Sequence, residues 1–70
     1  MEEKVSYSTM IGYLEGVAEA WADSAKEYGE NHEGVKRGWQ MVQIVRLVIE
    51  DLTLLSIDVK KDGTVIVEGV

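Results

Sequence analysis

The chain has 70 residues, of which 46% are hydrophobic, and 13 acidic against seven basic side chains give it a formal charge of −6. A domain this short buries only about 60% of the surface of its unfolded chain. The chain has no cysteine and one histidine, which excludes disulfides and the common zinc ligand sets. We therefore expect neither a metal nor a cofactor. We expect oligomerisation to provide the stability that a small core lacks.

The first residues, "MEEKVSYS", lack the basic start and apolar run of a signal peptide, and no stretch of about 18 apolar residues follows. We therefore expect a cytoplasmic protein without a membrane partner. Residues 1–6 are expected to be flexible or to form a short strand. The negative charge also argues against direct binding of nucleic acid.

Residues 7–28 repeat their apolar side chains with the period of an α-helix. Ser6 or Ser8 can accept a hydrogen bond from a free backbone N–H at the start of this helix. Gly29 can take the left-handed conformation that ends it. The apolar face comprises Tyr7, Met10, Ile11, Leu14, Val17, Ala18, Trp21, Ala22, Ala25 and Tyr28.

A second helix is predicted over residues 31–55, with Asn31 as its N-cap. Its apolar side chains cover an arc of about 180°, wider than the roughly 100° that one neighbouring helix needs. Trp39, Leu47 and Leu54 fall outside even that arc. We therefore expect this helix to be buried from more than one side, and these three residues to lie in an oligomer interface.

Residues 56–68 change to a period of two around "KKDG", which predicts a β-hairpin. A three-residue loop from Lys61 to Gly63 would pair Val59 with Val65 and place the inward side chains on one face. The whole chain is then one domain, 1–70, of the α+β class. It has the order ααββ, a long antiparallel helical hairpin followed by a β-hairpin, completed by dimerisation.

Lys36, Arg37 and Trp39 form the first candidate contact surface. Basic side chains and free N–H groups at a helix N-terminus bind phosphate, and a tryptophan can stack on a planar group. The spacing matches no phosphate-binding loop, however, and three glutamates lie close by in the sequence. The alternative interpretation is an ordinary connection between two helices.

Two further patterns lie on the first helix. Glu15, Glu19, Asp23 and Glu27 are spaced by four residues and predict an acidic stripe, which is either a docking surface for a basic protein or merely a solvated face. Gly12 and Gly16 interrupt a strong helix at a cost of roughly 1 kcal/mol each. The same spacing allows close backbone approach by a partner, and the alternative is a tolerated pair of surface glycines.

We predict a small, acidic, non-enzymatic homo-oligomer, a dimer above all, that binds protein as a regulator or inhibitor of the kind that viruses and mobile elements encode. The first alternative is a nucleotide-binding or sequestering protein with a pocket at the oligomer interface. The second is an inhibitor that mimics DNA through its acidic stripe. An enzyme is disfavoured because His32 has no nucleophile or carboxylate at a recognisable spacing.

Overall fold

A computed structural model describes residues 6–68 of the chain. Two helices, α1 (Tyr7–Tyr28) and α2 (Glu33–Thr53), precede two strands, β1 (Ser56–Val59) and β2 (Val65–Glu68). The helices pack side by side, and the strands form an antiparallel hairpin that contacts both of them. The predicted α+β fold with the order ααββ is therefore confirmed. The predicted strand within residues 1–6 lies, except for Ser6, outside the described residues.

The start of α1 is capped as its sequence predicts. The hydroxyl oxygen of Ser6 accepts a hydrogen bond from the N–H of Thr9, at 3.2 Å. At the other end, Gly29 has a φ of 85° and a ψ of 151°, which is not the left-handed helical conformation that the sequence predicts, and its N–H donates to the carbonyl of Ala25. Both ends of α1 are thus fixed by local sequence signals.

The ends of α2 differ from the prediction by two residues each. Asn31 is not the cap: His32 takes that position, and its Nδ1 accepts a hydrogen bond from the N–H of Gly34 at 3.1 Å. At the far end, Leu54 adopts the left-handed conformation with a φ of 61° and ends the helix. A left-handed leucine is costly, and no residue-type rule would place a helix end there.

The hairpin has the predicted register, with Val59 opposite Val65 and a three-residue loop between Lys60 and Thr64. Gly63 is left-handed, with a φ of 94°. A Cβ at this position would lie 3.2 Å from the Cβ of Ala22 and 3.3 Å from the carbonyl oxygen of Ala18. Gly63 therefore serves both the turn and the close packing of the hairpin on α1.

The core lies between the helical hairpin and the inward face of the strands. Leu14 and Val42 are its most completely buried large side chains. Ile57 and Val59 of β1 close it from the hairpin side. Its buried apolar members are Leu14, Ala18, Trp21, Ala22, Val35, Val42, Ile49, Ile57 and Val59.

Candidate functional site

Among residues 6–68, strands cover the helical hairpin on one side only. At about 100° per residue, Ala18 and Ala22 of α1 point toward the β-hairpin, whereas Tyr13 and Ala20 point away from it. On α2, residues 41 to 52 repeat apolar side chains every three or four positions on this uncovered side. We call this surface the open face; it consists of Tyr13, Val17 and Ala20 of α1 with Met41, Ile44, Val48 and Leu52 of α2.

Large apolar side chains of the open face remain in water. Tyr13, Met41, Ile44, Val48 and Leu52 are each more than half exposed. A soluble monomer tolerates single exposed apolar residues, but a contiguous set on one face marks an interaction surface. Within the chain, α1 and β1 therefore each cover a part of the wide apolar arc of α2. The open face is the part that neither of them covers.

Two grooves run in line along the open face, between the two helices. The first encloses about 430 Å³ and is lined by Thr9, Met10, Tyr13, Ile44, Val45, Val48, Ile49 and Leu52. The second, of about 380 Å³, lies nearer the helix connection and is lined by Val17, Ala20, Trp21, Ser24, Tyr28, His32, Gly34, Val35, Gly38, Met41 and Val42. Among residues 6–68, no Asp, Glu, Lys or Arg lines either groove, although 29% of the chain's residues are charged.

Trp39, one of the three predicted interface residues, is half-buried against its own chain. Its ring lies 4.6 Å from that of Trp21, centroid to centroid, and the Lys61 ammonium lies 5.7 Å from the Trp39 ring centroid. Lys61 also pairs with Glu30 at 3.0 Å. Sequence reasoning missed this arrangement, because no pattern links a residue of the hairpin loop to the start of α2.

The other two predicted interface residues are accessible but lie away from the grooves. Leu47 is 52% exposed, yet it lies about 100° around α2 from Val48. Leu54 follows the end of α2 and is 84% exposed. The five exposed side chains of the open face were not named as interface residues from the sequence, although the wide apolar arc of α2 was the signal for them.

The residues of the predicted contact surface, Lys36, Arg37 and Trp39, do not all lie at one site. Lys36 and Trp39 line a shallow concavity of about 300 Å³ together with Trp21, Glu30, Val35, Gln40 and Lys61. Arg37 is exposed and is not part of that lining. A lysine from the hairpin loop, rather than the neighbouring arginine, is therefore the second cation beside Trp39.

The candidate features of α1 are all at the surface. Glu15, Glu19, Asp23 and Glu27 are exposed, and none of them lines a groove of the open face. Gly12 and Gly16 are exposed too, and a Cβ at either position would meet nothing within 4 Å. Within residues 6–68, no three His, Asp or Glu side chains lie close enough together to hold a metal ion.

The described helices also differ from membrane-spanning ones: neither α1 nor α2 combines the length and the apolar character needed to cross a bilayer. Compared with protein-family models, curated proteins and solved structures, the chain matches none of them significantly.

Proposed function

We propose that the protein is a non-enzymatic, homodimeric protein-binding module in which the open face receives a second copy of the chain. The observation that carries this proposal is the open face itself: five large apolar side chains, each more than half exposed, along two grooves that no charged side chain of residues 6–68 lines. Pairing on this face would cover the apolar surface that a 70-residue chain leaves in water.

The charge distribution supports a copy of the chain as the occupant. With a formal charge of −6, two molecules repel each other at long range, and a contact along grooves that carboxylates do not line adds no further repulsion between close carboxylates. The acidic stripe (Glu15, Glu19, Asp23 and Glu27) lines neither groove, and it can serve as the docking surface for a basic protein.

The size of the open face is also adequate. Its helices, of 22 and 21 residues, run for about 30 Å, and two helices side by side are about 20 Å wide, which gives a footprint of roughly 600 Å². Side-chain relief raises the accessible area above the footprint. Full coverage therefore reaches the range of a standard interface, in which each partner buries about 800 Å².

Sedimentation equilibrium with two matched variants tests this proposal. Leu47 and Val48 are neighbours in α2, and both are 52% exposed. We expect the wild type to associate, Val48→Lys to be monomeric, and Leu47→Lys to associate as the wild type does. A monomeric wild type at high micromolar concentration would refute self-association. Dissociation by Leu47→Lys alone would instead favour the interface predicted around Trp39, Leu47 and Leu54.

A second candidate, binding of a planar anion such as a nucleotide, is supported by the concavity beside Trp39. Lys36 and Lys61 frame that ring and could pair with phosphate while the indole stacks on a base. Glu30 in the same lining opposes an anion. Calorimetry with nucleotides tests it: heat that disappears in Trp39→Leu supports the site, and no heat at millimolar nucleotide removes it.

A further inference from the structure

Strand β2 has an outer edge with free backbone groups. In an antiparallel hairpin, residue pairs that exchange backbone hydrogen bonds alternate with pairs whose N–H and C=O groups point away from the partner strand. The N–H of Lys60 bonds to the carbonyl of Thr64, so Val65 and Val67 belong to the outward-pointing pairs. Within residues 6–68 the sheet has two strands, and no group bonds to the outward N–H or C=O of Val65 or Val67.

The outer edge of β1 differs, because it lies against α2. There Glu50 accepts a hydrogen bond from the N–H of Ile57, and Arg46 donates one to the Ile57 carbonyl. β1 packs mainly on α2, whereas β2 packs on α1. The outer edge of β2 therefore points away from α2, and a strand edge of this kind can take up a further strand.

The side of α1 next to this edge is acidic. A Cβ on Gly63, in the turn before β2, would lie 3.2 Å from the Cβ of Ala22 and 3.3 Å from the Cα of Glu19. The hairpin starts at the end of α2, beside the start of α1, so β2 runs back from the turn toward the start of α1. Glu15 is one helical turn from Glu19 in that direction. The two glutamates lie roughly 20° and 60° around α1 beyond Ala22, and Trp21, which bonds to α2, lies on the other side.

We infer that β2 takes up an extended basic segment of a partner protein as a third strand, with the cations of that segment facing Glu15 and Glu19. This inference rests on the proposed docking of a basic protein on the acidic stripe and specifies how the partner binds. Both glutamates are exposed, and neither forms an ion pair with another described residue. A strand beside β2 directs alternate side chains toward α1, so lysine or arginine at every second position would meet them.

A second copy of the chain fits this edge less well. The N–H and C=O groups of Val65 and Val67 offer at most four hydrogen bonds, so side-chain attraction has to contribute to binding. Pairing of two β2 edges would instead bring the glutamates of two chains of charge −6 to one contact. The open face lies on the other side of the helices and stays available for self-association.

Amide hydrogen exchange of the full chain tests this inference, with a peptide of alternating lysine and valine as the probe. We expect the amides of Val65 and Val67 to exchange rapidly in the free protein and at least about tenfold more slowly with bound peptide. The amide of Ile66 points at β1 and should be protected already without peptide. The same peptide with methylated backbone nitrogens keeps its charge but lacks the donors for strand pairing, and it should give no such protection.

Two charge reversals distinguish the side of α1 next to β2 from the remainder of the acidic stripe. Glu19→Lys should raise the Kd of the peptide about fivefold, as expected for loss of an ion pair near the surface. Glu27→Lys is the matched control, because residue 27 lies about 12 Å further along α1, and it should raise the Kd less than about twofold. Equal effects of the two variants would contradict the predicted position of the peptide.

The remaining outcomes separate strand addition from the proposed function. Protection of Val65 and Val67 in the free protein would show that the edge is already covered, and it would overturn the inference. Equal binding of both peptides without protection would overturn strand addition and leave the acidic stripe as a docking surface. No binding at millimolar peptide would overturn docking of a basic segment as well, whereas sedimentation of the free protein decides self-association independently.

Discussion

The indole of Trp21 crosses α2 directly over Gly38. A Cβ at position 38 would lie 2.8 Å from Cδ1 of Trp21, closer than such atoms approach in proteins. The same indole donates a hydrogen bond from Nε1 to the carbonyl oxygen of Val35, at 2.7 Å. Gly38 therefore allows a buried tryptophan to pack closely against α2 and to satisfy its one polar group there.

Gly38→Ala should consequently destabilise the protein, although alanine is the better helix former. We expect the free energy of unfolding to fall by about 1–3 kcal/mol, the usual cost of overpacking. Gly12→Ala is the matched control, because a Cβ there meets nothing within 4 Å and should add up to about 1 kcal/mol. Urea unfolding measures both. A stabilised Gly38→Ala variant would show that Trp21 moves aside freely.

Arg46 and Glu50 of α2 form hydrogen bonds with the backbone of β1. Glu50 accepts a hydrogen bond from the N–H of Ile57 at 2.7 Å, and Arg46 donates to the Ile57 carbonyl at 3.1 Å. The two side chains also pair with each other at 2.9 Å, and both are about three-quarters buried. They satisfy the backbone groups of Ile57 that face away from β2.

Removal of this acceptor should be costly. Glu50→Ala leaves the Ile57 N–H and the Arg46 guanidinium without their partner, so we expect a loss of about 2–3 kcal/mol in the free energy of unfolding. Glu50→Gln keeps an acceptor and should lose less. Asp51→Ala, at the exposed neighbouring position, is the control and should change stability by at most about 0.5 kcal/mol. Equal effects of Glu50→Ala and Asp51→Ala would contradict this role.

The order of elements follows from the sequence because its signals are local. The period of α1, the caps at Ser6 and Gly29, and the three-residue turn from Lys61 to Gly63 each involve residues a few positions apart. The contacts that define the candidate surfaces are not local. Trp21 reaches Val35, and Lys61 lies over Trp39, so only the packed chain reveals them.

The position of the open face on α2 likewise could not be predicted from the sequence. The sequence indicates that α2 has more apolar surface than one helix can cover, but it does not indicate which part of that arc the strands take. The structure assigns Val42 and Ile49 to the core and leaves Val48 and Leu52 in water. The sequence predicts that Leu54 lies within α2, outside its apolar arc. In the structure, Leu54 ends α2.

Leu54 combines two unfavourable features, a left-handed backbone with a φ of 61° and a side chain that is 84% exposed. Glycine suits this position better, because it lacks the Cβ that makes the conformation costly. We expect Leu54→Gly to raise the free energy of unfolding of the monomer by about 1 kcal/mol, measured in the Val48→Lys background. Unchanged or lower stability would mean that the leucine side chain has contacts that offset its backbone cost.

The carboxyl group of Asp62, in the hairpin turn, makes the stability of the fold depend on pH. Hydrogen bonds from the side chain and then the backbone of Thr64 hold the pKa of its carboxyl below the ordinary value of 3.8. A lowered pKa stabilises the fold above 3.8, and that contribution is lost as the pH falls through the folded-state pKa. Carboxyl titration by NMR should give a value under 3.8 that rises in Thr64→Val. A wild-type value at or above 3.8 would contradict the turn geometry.

Salt should separate the two kinds of binding that the surfaces support. Self-association on the open face brings together two chains of charge −6 along grooves that no charged side chain of the described residues lines, so salt should chiefly weaken the repulsion and tighten the dimer. Binding of a basic protein to the acidic stripe depends on attraction, and salt should weaken it. We expect the dimer dissociation constant to fall between 20 mM and 500 mM sodium chloride. A rise over that range would mean that attractive charge pairs hold the copies together, and it would contradict pairing through the grooves of the open face.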